Sequence, residues 1–258
     1  MSSCILEVKE LSCNIDGKNI LKNINLKVKA GEIIGIIGPN GSGKTTFLKS
    51  LNGINEDIEG SIYIKEKEIR KYGKKDLAKY ISFMNQNSNI GFDFPCIDIV
   101  TLGRYPYLKR FQEYSKEDIK KAEYYMEQTN TLKFRNRMIT ELSGGERQRV
   151  LFAKTLTQES EIILLDEPTA SLDMKYEEEM FTIMSKLKAK NKSVIVIVHN
   201  LRVAIKYCTR LIMMSEGEIV ADGSPEMVIT EENLRNIYGI KAKVYRNKYN
   251  EQIDFCII

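Results

Sequence analysis

The sequence predicts an α/β fold with a mainly parallel sheet, a small N-terminal antiparallel β-subdomain and an α-helical subdomain. Short apolar runs rich in Ile and Val recur along the chain as EIIGIIG, IILLD, SVIVIVHN and LIMMSEGEIV. These runs are apolar on both faces, which is typical of parallel strands buried between helices. Helical patterns such as KYEEEMFTIMSKLKAK lie between them, and the alternation favours an α/β core.

The two subdomains are predicted from changes in this pattern. About the first 30 residues and the segment near 61–64 alternate polar and apolar residues around Gly or Asn turns, as antiparallel strands do. From about 95 to 158 the strand signals disappear and helical patterns dominate. SKED at Ser115–Asp118 predicts a helix start, with a capping serine and acidic residues in the first turn. We expect residues 1–258 to form a single domain, with a short C-terminal extension over about 226–258.

Composition and charge limit the functional classes. The 258 residues carry a net charge of +4, which is below the basicity of a dedicated nucleic-acid-binding domain, so we expect no nucleic-acid partner. The five cysteines contain no C-x-x-C pair, which favours a reducing compartment over a disulfide framework or a zinc site. No signal peptide is visible, and the longest apolar runs are far shorter than the ~18 residues that span a bilayer. We therefore expect any membrane role to depend on a partner.

The stretch GIIGPNGSGKTTFLKS predicts a phosphate-binding loop, because it matches G-x-x-x-x-G-K-[ST], follows an apolar strand and opens a helical pattern. Its glycines let backbone N–H groups turn toward phosphate oxygens. The Lys44 ammonium would reach the β- and γ-phosphates, and the Thr45 hydroxyl would bind Mg²⁺. A plain glycine turn is the alternative, and the motif alone does not separate kinases, GTPases and ATPases. The residues expected to contact the nucleotide here are Gly38, Pro39, Asn40, Gly41, Ser42, Gly43, Lys44, Thr45 and Thr46.

Two further strand ends carry candidate catalytic residues. EIILLDEPTASLD places Asp166 and Glu167 after an apolar run, and VIVIVH places the single histidine, His199, after another. In open α/β sheets the carboxyl ends of the strands carry the site. Asp166 suits a grip on Mg²⁺, Glu167 suits a base or an orienting group for water, and His199 suits a hydrogen bond to the γ-phosphate. An exposed acidic turn and a structural histidine are the alternatives.

A second anion site is predicted at LSGGERQRV, where Ser143, Gly144 and Gly145 precede a helix. With this stretch, the chain contains six motifs in the following order: the phosphate loop, FMNQN with Gln86, LSGGE, LLDE, SLD at Ser171–Asp173 and the histidine. The combination resembles the ATPase subunits of ABC transporters. The resemblance covers nearly the whole chain and implies a P-loop NTPase core, with ATP and Mg²⁺ as cofactors.

The resemblance also implies a homodimer with two ATP molecules between the subunits. Each ATP would lie against Lys44 of one copy and against Ser143 and Gly145 of the other, which accounts for two anion sites in one chain. Gln86 would contact Mg²⁺, take part in catalysis and relay the nucleotide state to a membrane partner. Asp173 would form part of the dimer seam. Closure on ATP and reopening after hydrolysis would then drive transport.

Two positions depart from the family pattern. The family usually has an aromatic residue in the first hairpin that stacks on adenine, and here that position is Ile15. Apolar contact would replace stacking at a cost on the order of 1–3 kcal/mol, so we expect weaker ATP affinity or a relaxed base preference. The second departure is Asn200, where the family commonly has Asp after the histidine, and we expect it to be tolerated.

The stretch FPCIDIVTLGRYPYLKRF resembles the ATPases of bacterial importers for ferric siderophores, haem and cobalamin. This resemblance implies integral membrane permease subunits on separate chains, indirectly a substrate-binding lipoprotein, and a location at the cytoplasmic face of the cell membrane. An iron–siderophore complex is the first expected cargo, haem the second and cobalamin the third. A soluble ABC ATPase of the cluster-assembly type is the alternative. Residues Arg104 to Tyr107 would either brace the helical subdomain or contact the permease, and the sequence leaves both interpretations open.

Overall fold

The computed structural model of the chain describes residues 4–55, 57–86, 91 and 93–258. The strands are β1 (Cys4–Ile15), β2 (Lys18–Lys29), β3 (Ile33–Ile37), β4 (Ile58–Ile64), β5 (Lys67–Glu68), β6 (Ile81–Met84), β7 (Ile162–Leu165), β8 (Ser193–Ile197), β9 (Arg210–Ser215), β10 (Glu218–Gly223), β11 (Ala242–Arg246) and β12 (Ile253–Ile257). The α-helices are α1 (Lys44–Leu51), α2 (Lys74–Tyr80), α3 (Cys96–Thr101), α4 (Lys116–Gln128), α5 (Gly144–Thr157), α6 (Met174–Lys188), α7 (Leu201–Tyr207), α8 (Pro225–Val228) and α9 (Glu231–Tyr238). Short 3₁₀ helices span Ile69–Lys71, Leu102–Tyr107, Leu132–Phe134 and Ile139–Glu141. Asn87, which ends the stretch FMNQN, lies outside the described residues.

The chain divides into two compact units. The first unit contains the residues up to Lys71 together with Ser193–Ile258, and the second unit contains Tyr72–Lys192. The predicted single domain and its subdomain boundaries at about 95 and 158 stay predictions.

The N-terminal strands of the first unit form the predicted antiparallel sheet, in the order β2-β1-β4-β5. A two-residue turn joins β1 to β2, which pair from Ile15 opposite Lys18 to Cys4 opposite Lys29. Alternating residues of β1, including Leu6 and Val8, are buried. This pattern is the period-2 signal of a strand with one buried face, so the antiparallel prediction is confirmed.

The parallel strands of the first unit are centred on β3, which pairs in parallel with β8 on one side and β9 on the other. Every residue of β3 and β8 is buried, as the apolar runs predicted. The interpretation of LIMMSEGEIV as one further run was wrong, because it forms part of β9, a turn and part of β10, which pairs antiparallel with β9. Glu216 and Gly217 reverse the chain there, with φ values of 49° and 84°.

The second unit combines the parallel strands β6 and β7 with helices α2 to α6. In the described part of Pro95–Gln158 the chain forms helices and one isolated β-bridge and contains no strand, as predicted. Ser115 caps α4 as SKED predicted, since its Oγ accepts the N–H of Asp118 and its own N–H donates to the Asp118 carboxylate. Near the C-terminus of the first unit, β11 and β12 form a hairpin that the sequence interpretation did not include.

Candidate nucleotide-binding and catalytic site

The phosphate loop joins the end of β3 to the start of α1 in the first unit. Its first residue, Gly38, has a φ of 143°, a region that residues with a side chain rarely adopt. A Cβ atom at this position would lie 2.1 Å from the carbonyl oxygen of Met214. The turn therefore requires glycine both for its backbone conformation and for its close approach to β9.

Lys44 lies along the loop that precedes it. Its Nζ donates hydrogen bonds to the carbonyl oxygens of Gly38 at 2.9 Å and Pro39 at 2.8 Å, and the residue is buried. The Oγ of Ser42 is also buried and has no hydrogen-bond partner among the described residues. A phosphate oxygen would satisfy such a hydroxyl, and the ammonium supplies positive charge, so this loop fits a nucleotide phosphate.

A hairpin turn that the sequence interpretation missed supports the outside of the loop. The N–H of Gly217 donates to the carbonyl oxygen of Ser42 at 3.2 Å, and the N–H of Lys22 donates to that of Gly217 at 2.9 Å. The β9–β10 turn is therefore hydrogen-bonded to both the phosphate loop and β2. Gly217 between two apolar runs was the available signal, because glycine readily adopts the positive φ that a two-residue hairpin turn requires.

His199 follows β8, which is the parallel neighbour of β3, so His199 and the phosphate loop follow adjacent strand ends in the first unit. His199 is exposed.

The next residue, Asn200, caps α7 by accepting the N–H groups of Arg202 at 3.2 Å and Val203 at 3.5 Å. Asn thus supplies the helix cap that Asp would supply, and its tolerance at this position stays a prediction. Ile15 is 41% exposed at the end of β1, where a ring would be free to face a ligand.

The acidic pair of the second unit follows β7, the parallel neighbour of β6. Asp166 is fully buried, and its N–H donates to the carbonyl oxygen of Met84 at 2.9 Å. Glu167 has a left-handed φ of 48°. The Nε2 of Gln86 donates to Glu167 Oε2 at 2.5 Å, and the Nε2 of Gln148 donates to the Glu167 carbonyl oxygen at 3.2 Å. Gln86 and Glu167, which the sequence placed in one site, are in direct contact.

The predicted second anion site, Ser143, Gly144 and Gly145, lies at the start of α5. The Oγ of Ser143 accepts the N–H of Glu146 at 3.4 Å, and the N–H of Ser143 donates to the Glu146 carboxylate at 3.0 Å, which makes a capping box. The Ser143 backbone N–H and then the Ser143 hydroxyl donate to the Glu146 carboxylate and hold the pKa of Glu146 below its usual range. Gly144 continues the first turn and is exposed. A Cβ atom on Gly145 would lie 3.0 Å from the carbonyl oxygen of Ser171, so α5 approaches the SLD segment closely.

Asp173 begins the next helix, α6. Its Oδ1 accepts the N–H of Tyr176 at 3.0 Å, so the carboxylate caps the helix while remaining exposed. The metal ligands that the sequence proposed belong to different units: Thr45 to the first, and Gln86 and Asp166 to the second.

The GRYPY segment braces the second unit through Arg104. This buried guanidinium donates to Asp118 at 3.1 Å and to Glu159 at 3.0 Å, and its NH1 also donates to the carbonyl oxygen of Thr157. The Tyr107 ring lies 4.1 Å from it. Tyr105, in contrast, is 60% exposed. Arg104 and Tyr107 therefore make contacts within the unit, while Tyr105, and to a lesser extent Tyr107 at 39%, keep exposed surface.

A P-loop between a parallel strand and a helix, an acidic pair after a second strand, and a serine-glycine turn at a helix start define an ATPase of the ABC type. The family model described as ABC transporter matches residues 21–170. The chain belongs to this family and has its fold and ATPase character.

Curated relatives resemble the chain over most of its length. It is 38% identical over 95% of both chains to an uncharacterised ABC transporter ATP-binding protein of Methanocaldococcus jannaschii. It is 32% identical to the ferric enterobactin transport ATP-binding protein of Escherichia coli, covering 93% of this chain and 89% of that protein. It is 33% identical to the hemin import ATP-binding protein of Bradyrhizobium diazoefficiens, covering 95% and 92%. The cobalamin import ATP-binding protein of Halobacterium salinarum is 30% identical over 93% of this chain, which spans 60% of that protein.

Solved structures share the fold. An inward-facing ABC transporter that is assigned to the metal-chelate type has a TM-score of 0.84 and 25% identity, covering 99% of this chain and 97% of that one. A dimeric bacterial ABC transporter cassette has a TM-score of 0.75 and 29% identity, covering 86% and 99%.

Proposed function

We propose that this chain is the ATPase subunit of an ABC importer that takes up a metal chelate, with an iron–siderophore complex as the first expected cargo. The observation that carries the proposal is similarity over nearly the whole chain to proteins named for ferric enterobactin, hemin and cobalamin import. A metal-chelate transporter among the structural neighbours supports the same class. Haem and cobalamin remain the second and third cargo candidates.

The candidate residues of each unit have their own proposed roles in nucleotide binding. In the first unit, Lys44 and the backbone N–H groups of the phosphate loop would hold the phosphates, and Thr45 would bind the metal. In the second unit, Asp166 and Gln86 are the proposed metal ligands. Bound ATP supplies the phosphoryl group, and Mg²⁺ offsets the negative charge that develops during its transfer.

The remaining roles concern the attacking water and the partner copy. Glu167 would orient or deprotonate the water, and His199 would donate to the γ-phosphate. In the proposed homodimer, Ser143, Gly145 and Asp173 would face the nucleotide of the other copy. The dimeric cassette among the structural neighbours supports this arrangement.

The proposed location is the cytoplasmic face of the cell membrane, through a separate permease that in turn meets a substrate-binding lipoprotein. No helix within the described residues is long and apolar enough to cross a membrane. Similarity to proteins named for transport and import supports a transport role, and the resemblance to this family implies the permease partner.

The test combines co-purification with transport. The tagged chain is recovered from detergent-solubilised membranes, its partners are identified, and the complex is reconstituted in vesicles. We expect integral membrane subunits and ATP-dependent uptake of a ⁵⁵Fe-labelled siderophore, with haem and cobalamin measured in parallel. A matched complex with Lys44→Met should take up none of them, because the loop loses its ammonium. Recovery of a strictly soluble complex would refute import and favour the cluster-assembly type, while uptake of haem or cobalamin alone would correct the cargo.

A further inference from the structure

Two surface turns that are expected to face a partner copy are in direct contact within the second unit. We call Ser143–Gly145 the signature turn and Ser171–Asp173 the SLD turn. A Cβ atom on Gly145 would lie 3.0 Å from the Ser171 carbonyl oxygen and 3.3 Å from Leu172 Cδ2, so the two turns approach each other closely at this glycine. Ser143 and Asp173 are both exposed at this contact.

Arg149 extends the contact by one helical turn. It lies four residues after Gly145 on α5, and residues at this spacing share a helix face. Its guanidinium carbon is 3.8 Å from the centroid of the Tyr176 ring on α6. The backbone N–H of Tyr176 in turn donates to Asp173 Oδ1 at 3.0 Å. A continuous set of contacts therefore runs from α5 to the residue that ends the SLD turn.

Arg149 is buried although it makes few hydrogen bonds. It is 5% exposed, its NH1 donates to the Asn130 carbonyl oxygen at 3.4 Å, and its Nε has no hydrogen-bond partner within the described ranges. The Phe134 ring lies 5.9 Å from the same guanidinium. Burying a charge is unfavourable unless it is compensated, and aromatic rings compensate only in part. Stability is thus a weak reason for arginine here, and fixing the geometry of its neighbours is a better one.

We propose that Arg149 and Tyr176 form a clamp that holds the SLD turn against the signature turn, so that the face offered to the second copy's nucleotide is preformed. Both are positioning residues, and the proposal rests on the proposed homodimer. A preformed face lowers the ordering cost of association, so the clamp should act on dimerisation and turnover. ATP binding by a single copy should not depend on it, because neither Arg149 nor Tyr176 is among the residues proposed to bind that copy's own nucleotide or metal.

The test measures ATP-driven dimerisation of the full chain by sedimentation, in a Glu167→Gln background that slows hydrolysis. Arg149→Met removes the guanidinium and its charge but keeps an unbranched apolar stem, and Tyr176→Leu removes the ring. We expect each to raise the protein concentration for half-dimerisation about tenfold, in line with a partly buried cation–π contact. Tyr176→Phe keeps the ring face and should stay within about twofold of the parent. The double variant should be no worse than either single variant, because both remove the same contact.

Thermal unfolding and nucleotide affinity separate positioning from a general structural role. Each variant's affinity for a fluorescent ATP analogue should match that of the parent, while kcat measured with Glu167 present should fall and KM should stay constant. If the parent dimerises and Arg149→Met and Tyr176→Leu dimerise equally well, or if their effects add, the clamp is refuted. If dimerisation and analogue affinity fall together, the residues are structural and the clamp is refuted as well. A parent that binds ATP yet stays monomeric would overturn the proposed homodimer, and the clamp with it.

Discussion

The side-chain amide of Gln86 donates a hydrogen bond to Oε2 of Glu167 at 2.5 Å. The residue proposed to contact Mg²⁺ and the residue proposed to act on water are therefore joined within the second unit. The Glu167 backbone is held as well, because it adopts a left-handed φ of 48° and its carbonyl oxygen accepts from Gln148. A catalytic group needs such restraint, since proton transfer depends on a fixed distance and direction.

Glu167→Gln tests the proposed role of this carboxylate. The amide has the same shape and still accepts the hydrogen bond from Gln86, but it is no longer a base. We expect ATP hydrolysis to fall by roughly 10²- to 10⁴-fold while ATP binding persists and a nucleotide-bound dimer accumulates. Phosphate release and sedimentation measure the two effects. Glu113→Gln, an exposed acid in the same unit, is the matched control and should hydrolyse normally. Near-normal turnover in the Glu167 variant would rule out the assignment.

The strand ends that carry the candidate site could be predicted from sequence because their signals are local. A buried β3 followed by a glycine-rich loop, and a buried β7 followed by two acids, need only a few adjacent residues to be recognised. The contact between Gln86 and Glu167 joins residues 81 positions apart, and no local pattern reports such a distance. The resemblance of the motifs to the family placed Gln86 and Glu167 in one site, but only the structure shows the hydrogen bond between them.

The β9–β10 hairpin and the Arg104 network escaped prediction for different reasons. LIMMSEGEIV is apolar at both ends, so periodicity alone did not separate two antiparallel strands from one long run. The two interpretations of Arg104 differed in burial, which depends on residues about 14 and 55 positions away. A buried guanidinium between two carboxylates follows from tertiary packing rather than from the GRYPY string.

Ile15→Tyr tests the missing adenine stack. Ile15 is partly exposed at the end of β1, so a ring can be added without displacing core atoms. We expect ATP to bind more tightly by about 1–3 kcal/mol, because a base stacks on a ring more strongly than on an aliphatic side chain. Isothermal titration with ATP and GTP measures both affinity and base preference. Ile15→Leu, which lacks a ring, is the control and should match the wild type. Equal ATP affinities for Ile15→Tyr and wild type would refute this role for position 15.

Gly38→Ala tests the geometry of the phosphate loop. The φ of 143° and the 2.1 Å approach to the Met214 carbonyl oxygen leave no place for a Cβ atom, so the loop must shift. We expect ATP binding to be lost. Backbone strain alone should lower the free energy of unfolding by about 1–3 kcal/mol. Gly73→Ala is a matched control, because its Cβ would meet no atom closer than 3.9 Å. Urea unfolding and ATP titration measure the two effects, and normal ATP binding by Gly38→Ala would contradict the described loop geometry.

Arg104→Met tests the buried ion-pair network by stability and by pH. The Arg104 side chain is 7% exposed, and its partners Asp118 and Glu159 are 14% and 31% exposed. Removing the cation leaves two partly buried carboxylates without the guanidinium that compensates their charge. We therefore expect the free energy of unfolding to fall by about 3 kcal/mol at neutral pH. Arg110→Met, an exposed arginine nearby, should change it by less than about 0.5 kcal/mol. Urea unfolding of the three proteins measures these differences.

The sign of the pH dependence follows from the two carboxyl groups. Burial raises the pKa of Asp118, but hydrogen bonds from Ser115 and Arg104 outweigh it and hold the pKa below the ordinary 3.8. Burial also raises the pKa of Glu159, but the positive charges of Lys121 and Arg104 outweigh this effect. The pKa of Glu159 therefore lies below the ordinary 4.5. Groups with depressed pKa values stabilise the fold fully above their ordinary values and lose that stabilisation as the pH falls through the folded-state values. The stability difference between wild type and Arg104→Met should therefore be largest at neutral pH and shrink below about pH 4. A difference that stays constant across this range would show that Arg104 acts through packing rather than through its charge.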